Sequence, residues 1–525
     1  MTCARTHCAA LIGIDAHIVE VEADIVNGSP GMIVTGLPDT ALREARDRVR
    51  AAVINSGYDW PQRRITVGLS PAWLPKRGCW FDLAIAVGVL AAAGAVPRDA
   101  AAGVMFLGEL GLGGRLRPVR GVLPAVAAAA RARFSTVVVA SENAAEAALV
   151  PGMTVVRAGT LTQVIEWLRG GGLPGGASLD DAGPGSAALP GPGGTTGVAA
   201  PADPRLPAGL TDLSGQPQAL RAAEICAAGG HHLSLLGPPG TPTPVVAALV
   251  RDLLPGLDHQ TALEVTAVHS LAGMLHPGAP LISYPPFVVP HHTASKAAIV
   301  GGGSAAIRPG AVSLAHRGVL FLDQAPEFGR GVLDALRQPL ESGEITVARS
   351  GITATFPARF ILVIAASPCP CVKTAGPAAE CRCSPATRRR YLGRISGPLL
   401  DRVDVKIELD PGGRTGLLDD RGLAEPSQVV AGRVAAARER AARRLDGTPW
   451  RLNAEVPAAE LRRHWPPGPE ALSQVERALQ LGQISARAVA KVIRLAWTLA
   501  DLGDTSRPGR AECDTALALY LGVTR

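Results

Sequence analysis

Leu233-Ser-Leu-Leu-Gly-Pro-Pro-Gly-Thr-Pro-Thr243 is the stretch on which the reading of this chain turns. Leu233, Leu235 and Leu236 form an apolar run that enters the turn Gly237-Pro238-Pro239-Gly240, and the apolar segment Val245 to Leu254 follows at helical spacing. The order predicts strand, loop, helix. In that geometry successive backbone N–H groups and a helix N-terminus wrap the phosphates of a nucleoside triphosphate. The full pattern, G-x-x-x-x-G-K-[ST], adds a lysine for the β and γ oxygens and a hydroxyl for Mg²⁺. Counted from Gly237, it requires Gly, Lys and Ser/Thr where this chain has Pro242, Thr243 and Pro244. Gly237, Pro238, Pro239, Gly240 and Thr241 therefore keep the outline of a cradle whose cationic and metal-binding parts are missing.

Further along, Gly318-Val-Leu-Phe-Leu-Asp323-Gln324 reads as a buried strand ending in a carboxylate that would hold Mg²⁺ through water. Gln324 stands where a glutamate would activate the attacking water. Its amide keeps the shape and the hydrogen bonding but accepts no proton. The two motifs, in this order, predict an α/β nucleotide-loop fold with hydrolysis impaired.

Bulk properties narrow the class. A chain of 525 residues exceeds one core and predicts two to four domains. Leu83 to Val96, LAIAVGVLAAAGAV, is shorter than a bilayer span and predicts a buried, Ala-rich helix. With no membrane segment and no secretory signal expected, the predicted location is the cytoplasm. Nine cysteines then imply thiols or metal ligands in place of a disulfide framework. A net charge of +7 and a pI near 9.1 allow a polyanionic partner.

In chain order, residues 12–26 alternate as a strand, residues 37–57 read as a helix opened by proline and closed by Gly57, and residues 64–71 return as a strand. The segments LPKRGCWFDLAIAVGVLAAAG and GELGLGGRLRPVRGVLPAVAAAARA resemble the proteolytic domain of Lon-type proteases, over roughly residues 10–169. That resemblance places the family's catalytic serine near Trp80 and its lysine near Pro124. Neither residue supplies the hydroxyl or the amine, so it implies a Lon-like (ribosomal S5 domain 2-type) scaffold without peptidase chemistry. Gly170 to Gly209, rich in Gly, Pro, Ala and Ser, reads as a linker.

After the linker, LEVTAVHSLAG, PHHTASKAAIVGGG, RPGAVSLAHRGVLFLD and LRQPLESGEITVAR resemble the ComM/YifB family of Mg-chelatase-like AAA+ proteins. The resemblance implies an α/β architecture of four parts: a Lon-like domain at 1–169, the linker at 170–209, an AAA+ P-loop module at 210–425 and a small helical lid at 426–525. It implies ATP and Mg²⁺ as cofactors, a homo-oligomeric, hexameric ring, and DNA remodelling or branch migration in recombination or transformation. Ser367 falls where the family carries a sensor asparagine. Arg402, in SGPLLDRVD, resembles an arginine finger for a neighbour's γ-phosphate, with Arg394 a second candidate, and Arg487 resembles the sensor arginine of the lid. The altered loop leaves open a non-catalytic pseudo-ATPase, either scaffold or inactive ring subunit. A magnesium chelatase subunit shares the AAA+ core, and the Lon-like part argues against it.

Cys369-Pro-Cys371 and Cys381-Arg-Cys383 gather four thiols that suit tetrahedral Zn²⁺ and also fit ordinary reduced cysteines. The pairs His231-His232 and His291-His292 would point to opposite faces on strands, which disfavours a shared metal. Arg388-Arg389-Arg390 and the run Arg433 to Leu445 read as solvated helix faces. GEITVARSGITATF predicts a hairpin with Arg349 and Ser350 at its tip, and Arg349 is the candidate for tracking DNA phosphates without reading sequence. Aromatic residues are too scarce for base stacking to dominate.

Overall fold

The computed structural model describes residues 3–36, 40–76, 78–171, 216–275, 281–303, 307–349, 352–371, 381, 383–409, 425–468 and 470–523. The expected linker from 172 onward and Ser350 lie outside them.

Period-two alternation builds the first sheet. Strands β1 (Ala4–Ile12), β2 (Asp15–Val26), β3 (Gly31–Thr35), β4 (Arg64–Ser70), β5 (Val104–Leu107), β8 (Thr136–Ala140) and β9 (Thr154–Ala158) lie in the order β3-β4-β2-β1-β5-β8-β9, with β6 (Glu109–Leu110) and β7 (Leu116–Arg117) forming a separate ribbon. Val19, Val21, Ala23 and Ile25 on β2 and Ile65, Val67 and Leu69 on β4 face one core. The register Val21↔Leu69, Ala23↔Val67 and Ile25↔Ile65 places each buried residue opposite another. The helix Asp82–Ala92 is buried at every position, as its apolar composition predicts. Among the described residues, no helix is long and apolar enough to cross a membrane.

The second sheet is parallel throughout, in the order β11-β12-β15-β10-β16: β11 (Phe287–Val288), β12 (Val319–Leu322), β15 (Ile361–Ala366), β10 (Leu233–Leu236) and β16 (Val405–Glu408). Its central strands β12 and β15 are apolar on both faces, as a sheet covered on both sides requires, whereas β10 carries Ser234 and the edge strand β16 carries Lys406 and Glu408. Leu233, Leu235, Val319, Phe321, Ile361, Val363, Val405 and Ile407 share a core with helices Pro217–Gly229, Thr243–Asp252, Ser427–Arg444, Ala486–Leu502 and Arg510–Leu521. The alternate residues Leu320, Leu322, Leu362 and Ile364 face a different core, which includes Ile345 and Phe356 of the hairpin β13 (Glu344–Arg349) and β14 (Ile352–Pro357). The C-terminal helices thus close one face of the nucleotide-type sheet, and the hairpin leans on the other.

The first unit packs against this second face. Gly13, in the turn between β1 and β2, sits at φ +65°, and a Cβ there would lie 2.6 Å from the Thr355 carbonyl of β14. Glycine is required on both counts. Ala267, on the helix His259–Ala272, enters the first core, and Ser270 Oγ on the same helix donates to Glu146.

Candidate functional site

The strand-loop-helix reading of 233–254 holds. β10 ends at Leu236, Gly240 adopts φ +91°, and the helix starts at Thr243 with Pro242 as its cap residue. Proline is tolerated in a first turn because the N–H it lacks has no partner inside the helix, which is how Pro244 fits. The amides of this loop point elsewhere than outward. Gly237 N donates to Ala366 O at 3.1 Å, Thr241 N to Pro238 O at 3.2 Å, and Thr243 N to Thr241 O at 2.9 Å. Thr241 Oγ1 also donates to Pro238 O, at 2.9 Å. Pro238, Pro239, Pro242 and Pro244 have no N–H to offer. Within 237–244, Gly240 alone keeps an amide with no internal acceptor among the described residues.

The parallel register gathers the other predicted positions at the same sheet edge. β15 lies between β10 and β12, with Leu236 opposite Ala366 and Leu322 opposite Ile364, so Gly237, Ser367 and Asp323 all follow the C-terminal ends of adjacent strands. That edge is where open α/β sheets place their ligands. Gln324 is exposed and adopts φ +51°, and its N–H donates to the Asp323 carboxylate at 2.9 Å. The amide side chain therefore faces solvent just beyond the carboxylate.

Arg402 and Arg487 line one cleft, and no residue of the loop lines it. Together with Arg337, Glu341, Gly397, Pro398 and Asp401 they line an open cleft of about 580 Å³ that contains no residue of 237–244. Arg402 pairs with Glu341 at 2.9 Å and donates to Pro398 O at 2.8 Å, while Arg487 is exposed in the first turn of Ala486–Leu502, after the capping Ser485. Arg337 escaped the sequence reading. It lies in the phrase LRQPLESGEITVAR, but nothing local marks a lone exposed arginine as a partner of residues so distant in the chain. Arg394 lies elsewhere: its Nη1 donates to Pro326 O at 3.2 Å and pairs with Glu327 at 3.3 Å, and its guanidinium stands 5.8 Å from the Tyr391 ring centre. It is bound to the turn that follows Gln324. Arg349 ends β13 opposite Ile352 and lines a second cleft, of about 820 Å³, with Arg337, Glu341 and the hairpin base.

Two expectations are corrected. The run Arg433 to Leu445 is a solvated face only in part: Glu439 and Arg443 are exposed, whereas Arg433, Arg438, Arg440 and Arg444 bind neighbouring segments. Arg433 pairs with Glu224 at 2.7 Å and with Glu425, Arg438 donates to Ala227 O at 2.8 Å, and Arg440 donates to Asp501 O at 2.8 Å. Arg444 bonds both Asp501 oxygens at 2.5 and 2.7 Å and lies 4.1 Å from the Trp497 ring centre. The residue types suggested a charged surface; the acidic partners come from helices distant in sequence. The histidine pairs, for their part, are not on strands, and the His291 and His292 rings lie together, 4.2 Å apart.

His231 and His232 instead serve a buried polar junction between sheet and C-terminal helices. His231 Nε2 shares a hydrogen bond with Thr498 Oγ1 at 2.8 Å, and His232 Nδ1 accepts from Leu362 N at 3.1 Å. Asp404 accepts from Lys491 Nζ at 2.8 Å. Burial alone would raise the Asp404 pKa, but the Lys491 ammonium and the His231 contact hold it below the ordinary carboxylate value. Burial pushes His232 down to about 4, so it stays neutral.

In the first unit, Trp80 packs against the core and Pro124 is buried in the helix Val122–Arg131. Gly121, which caps that helix, sits beside the Trp80 ring, so Trp80 stands at the start of the helix that carries Pro124. Close by, Cys79 Sγ donates to Glu109 at 2.6 Å, and burial with that carboxylate pushes the thiol up to about 12, leaving it a poor nucleophile.

Three models of one family match the chain: magnesium chelatase subunit ChlI over residues 209–415, subunit ChlI of Mg-chelatase over 21–143, and the ChlI C-terminal model over 424–520. An uncharacterized protein of Mycobacterium tuberculosis is 48% identical over 519 residues, covering 99% of this chain and 98% of the relative. The uncharacterized protein YifB of Escherichia coli is 39% identical over 526 residues, covering 100% and 98%. The competence protein ComM of Haemophilus influenzae is 39% identical over 508 residues, covering 96% and 94%. With such identity running end to end, and with a parallel sheet of the nucleotide-loop type beneath it, this chain belongs to the ComM/YifB family of Mg-chelatase-like AAA+ proteins.

Proposed function

We propose that this chain is a ComM-type subunit of a homo-oligomeric, hexameric ring that acts on DNA in the cytoplasm, and that its own loop binds ATP and Mg²⁺ weakly and supports little or no hydrolysis. The observation that carries the reading is the loop itself. Four of its residues are prolines, and three of the remaining amides donate within the protein. A magnesium triphosphate calls for outward N–H donors, an ammonium and, on the next residue, a hydroxyl ligand; Thr243 supplies no ammonium and Pro244 no hydroxyl. The residues present do not fit that group, and no hydrolytic step is assigned to them.

In this reading residues 1–169 are a Lon-like scaffold joined by the linker 170–209 to an AAA+ module at 210–425, with 426–525 as its helical lid. The cleft of Arg337, Arg402 and Arg487 supports ring assembly, because it sets the exposed Arg337 and Arg487 beside Arg402, which Glu341 holds, on an open face that no residue of the chain's own loop lines. A competence role is what the printed name of the Haemophilus influenzae relative says of that protein, and DNA remodelling is extended to this chain on that similarity.

The same loop favours a second reading, a pseudo-ATPase scaffold within such a ring. One experiment separates them: titration of the purified chain with ATP and Mg²⁺, with and without single-stranded or branched DNA, alongside a turnover assay. The expected result is no saturation below about 1 mM, which corresponds to roughly 4 kcal/mol of binding, and DNA binding that does not depend on nucleotide. Micromolar ATP binding or DNA-stimulated turnover overturns the proposal. Absence of DNA binding leaves only the scaffold.

A further inference from the structure

Four thiols converge just past the Ser367 position. Cys369 Sγ lies 3.1 Å from Cys371 Sγ and 3.2 Å from Cys381 Sγ, and Cys371 lies 3.5 Å from Cys381. With Cys383 included, all four sulfurs fall within 4.8 Å of one another. Two belong to the segment that leaves β15 and two to the segment that enters the helix Pro385–Leu392, where Cys383 directly precedes the capping Ser384. All are free thiols.

A thiol is a weak donor and a weak acceptor, so a cluster of four gains little by itself. The group is also not a hydrophobic core: Cys369 is buried, while Cys371, Cys381 and Cys383 are partly exposed. The chain's other cysteines behave differently. Cys8 is buried in the first core and Cys226 and Cys513 on two helices of the second, Cys79 donates to Glu109, and Cys3 is exposed. Four sulfurs about 2.3 Å from a central zinc would stand about 3.8 Å apart, close to the separations seen.

We propose that Cys369, Cys371, Cys381 and Cys383 form a tetrathiolate site for one structural Zn²⁺. Sulfur donors in a compact four-membered set select zinc among common divalent ions, and four protein ligands leave no open position for catalysis. The site would carry a net charge near −2, and its surroundings are basic. Arg388 Nη2 donates to the Cys381 carbonyl at 3.4 Å, and Arg389 and Arg390 follow on the same helix. Such outer groups orient the ligands and offset their charge.

The position gives the metal a mechanical role. It ties the end of β15, which carries Ser367, to the start of the helix that leads to Arg394. Arg394 in turn holds Pro326 and Glu327, just beyond Asp323 and Gln324. A zinc staple therefore joins two of the strand ends at the sheet edge, whether or not the loop binds nucleotide.

The test uses the full chain, purified without chelators from zinc-supplemented cells. Elemental analysis is expected to find about one zinc per chain, reduced to background by Cys381→Ser together with Cys383→Ser and unchanged by Cys3→Ser. Because the double variant could misfold, a second measurement stands alone: Co²⁺ exchanged into the unaltered chain should give thiolate charge-transfer bands and the intense visible bands of a tetrahedral S₄ site. Metal-free protein that also lacks those cobalt bands overturns the site, and iron found in place of zinc overturns the metal assignment.

Discussion

The backbone N–H of Thr243 points to the carbonyl of Thr241, 2.9 Å away, and so is turned inward at the residue where the family's pattern places its lysine. The chain has lost the side-chain charge there and also the direction of the amide. Charge-assisted hydrogen bonds contribute roughly 1.5–3 kcal/mol each, so loss of the lysine interaction and two amide donors costs on the order of 5 kcal/mol, or more than a thousandfold in affinity. The triple change Pro242→Gly, Thr243→Lys and Pro244→Thr is therefore expected to bring ATP binding into the micromolar range while turnover stays at background. Turnover should appear only when Gln324→Glu is added. Isothermal titration and phosphate release check the two steps separately, and failure of the triple variant to bind would show that the loop's backbone has no phosphate-binding conformation to recover.

Arg349 ends the exposed edge of β13 and faces a cleft shared with Arg337. If the hairpin tracks DNA, Arg349→Ala should weaken binding equally for unrelated sequences and reduce the slope of log affinity against log salt by about 0.7 for each single-strand phosphate that is no longer neutralised. Fluorescence anisotropy over a salt series measures both. A sequence-dependent loss, or an unchanged slope, would place the DNA-binding surface elsewhere.

Arg444 and Asp501 form a buried, two-pronged pair that Asn453 extends at 2.7 Å. Removing one partner leaves the other charge buried, which typically costs about 3–5 kcal/mol. Arg444→Ala should lower the chemical-denaturation midpoint clearly, whereas Arg510→Ala, which breaks an exposed pair with Asp514, should change stability by less than about 1 kcal/mol. DNA affinity should be the same in both. A DNA-binding defect in folded Arg444→Ala protein would return this helix to the surface role that its composition suggests.

His232 accepts the Leu362 N–H through Nδ1, an interaction only the neutral ring can make. Burial lowers its pKa to about 4, with Lys491 and His231 acting in the same direction and Asp404 opposing them. The unfolded ring titrates near 6.5, so between about pH 6.5 and 4 the unfolded chain binds the extra proton and stability falls as pH falls. The full effect is at most about 3–4 kcal/mol, from roughly 1.4 kcal/mol per pKa unit. Asp404, whose folded pKa is depressed, contributes above its unfolded value near 4 and loses that contribution only at lower pH. Thermal melts from pH 7.5 to 4.5 should show the decline in the unaltered chain and a flatter profile in His232→Asn; equal slopes would assign the dependence to other groups.

Sequence alone determined whatever depends on residue type at short range. The order of Gly237 to Pro244, the loss of lysine and of the following hydroxyl, the alternation along residues 12–26, the apolar runs of β10 and β12, the Ala-rich helix at 82–92 and the closeness of four cysteines are all set within a few residues, where chemistry and period are visible directly. Tertiary structure decided what depends on partners far apart in the chain. It placed β15 between β10 and β12, so that Ser367 stands between the loop and the Asp323 strand; it turned Arg433 toward Glu224 and Arg444 toward Asp501; and it brought Arg337, Arg402 and Arg487 into one cleft. An arginine has the same spacing and composition whether it faces water or a buried carboxylate. Which of the two it meets is settled by the packing of helices on the sheet, because only there is the desolvation of its charge compensated or left without compensation.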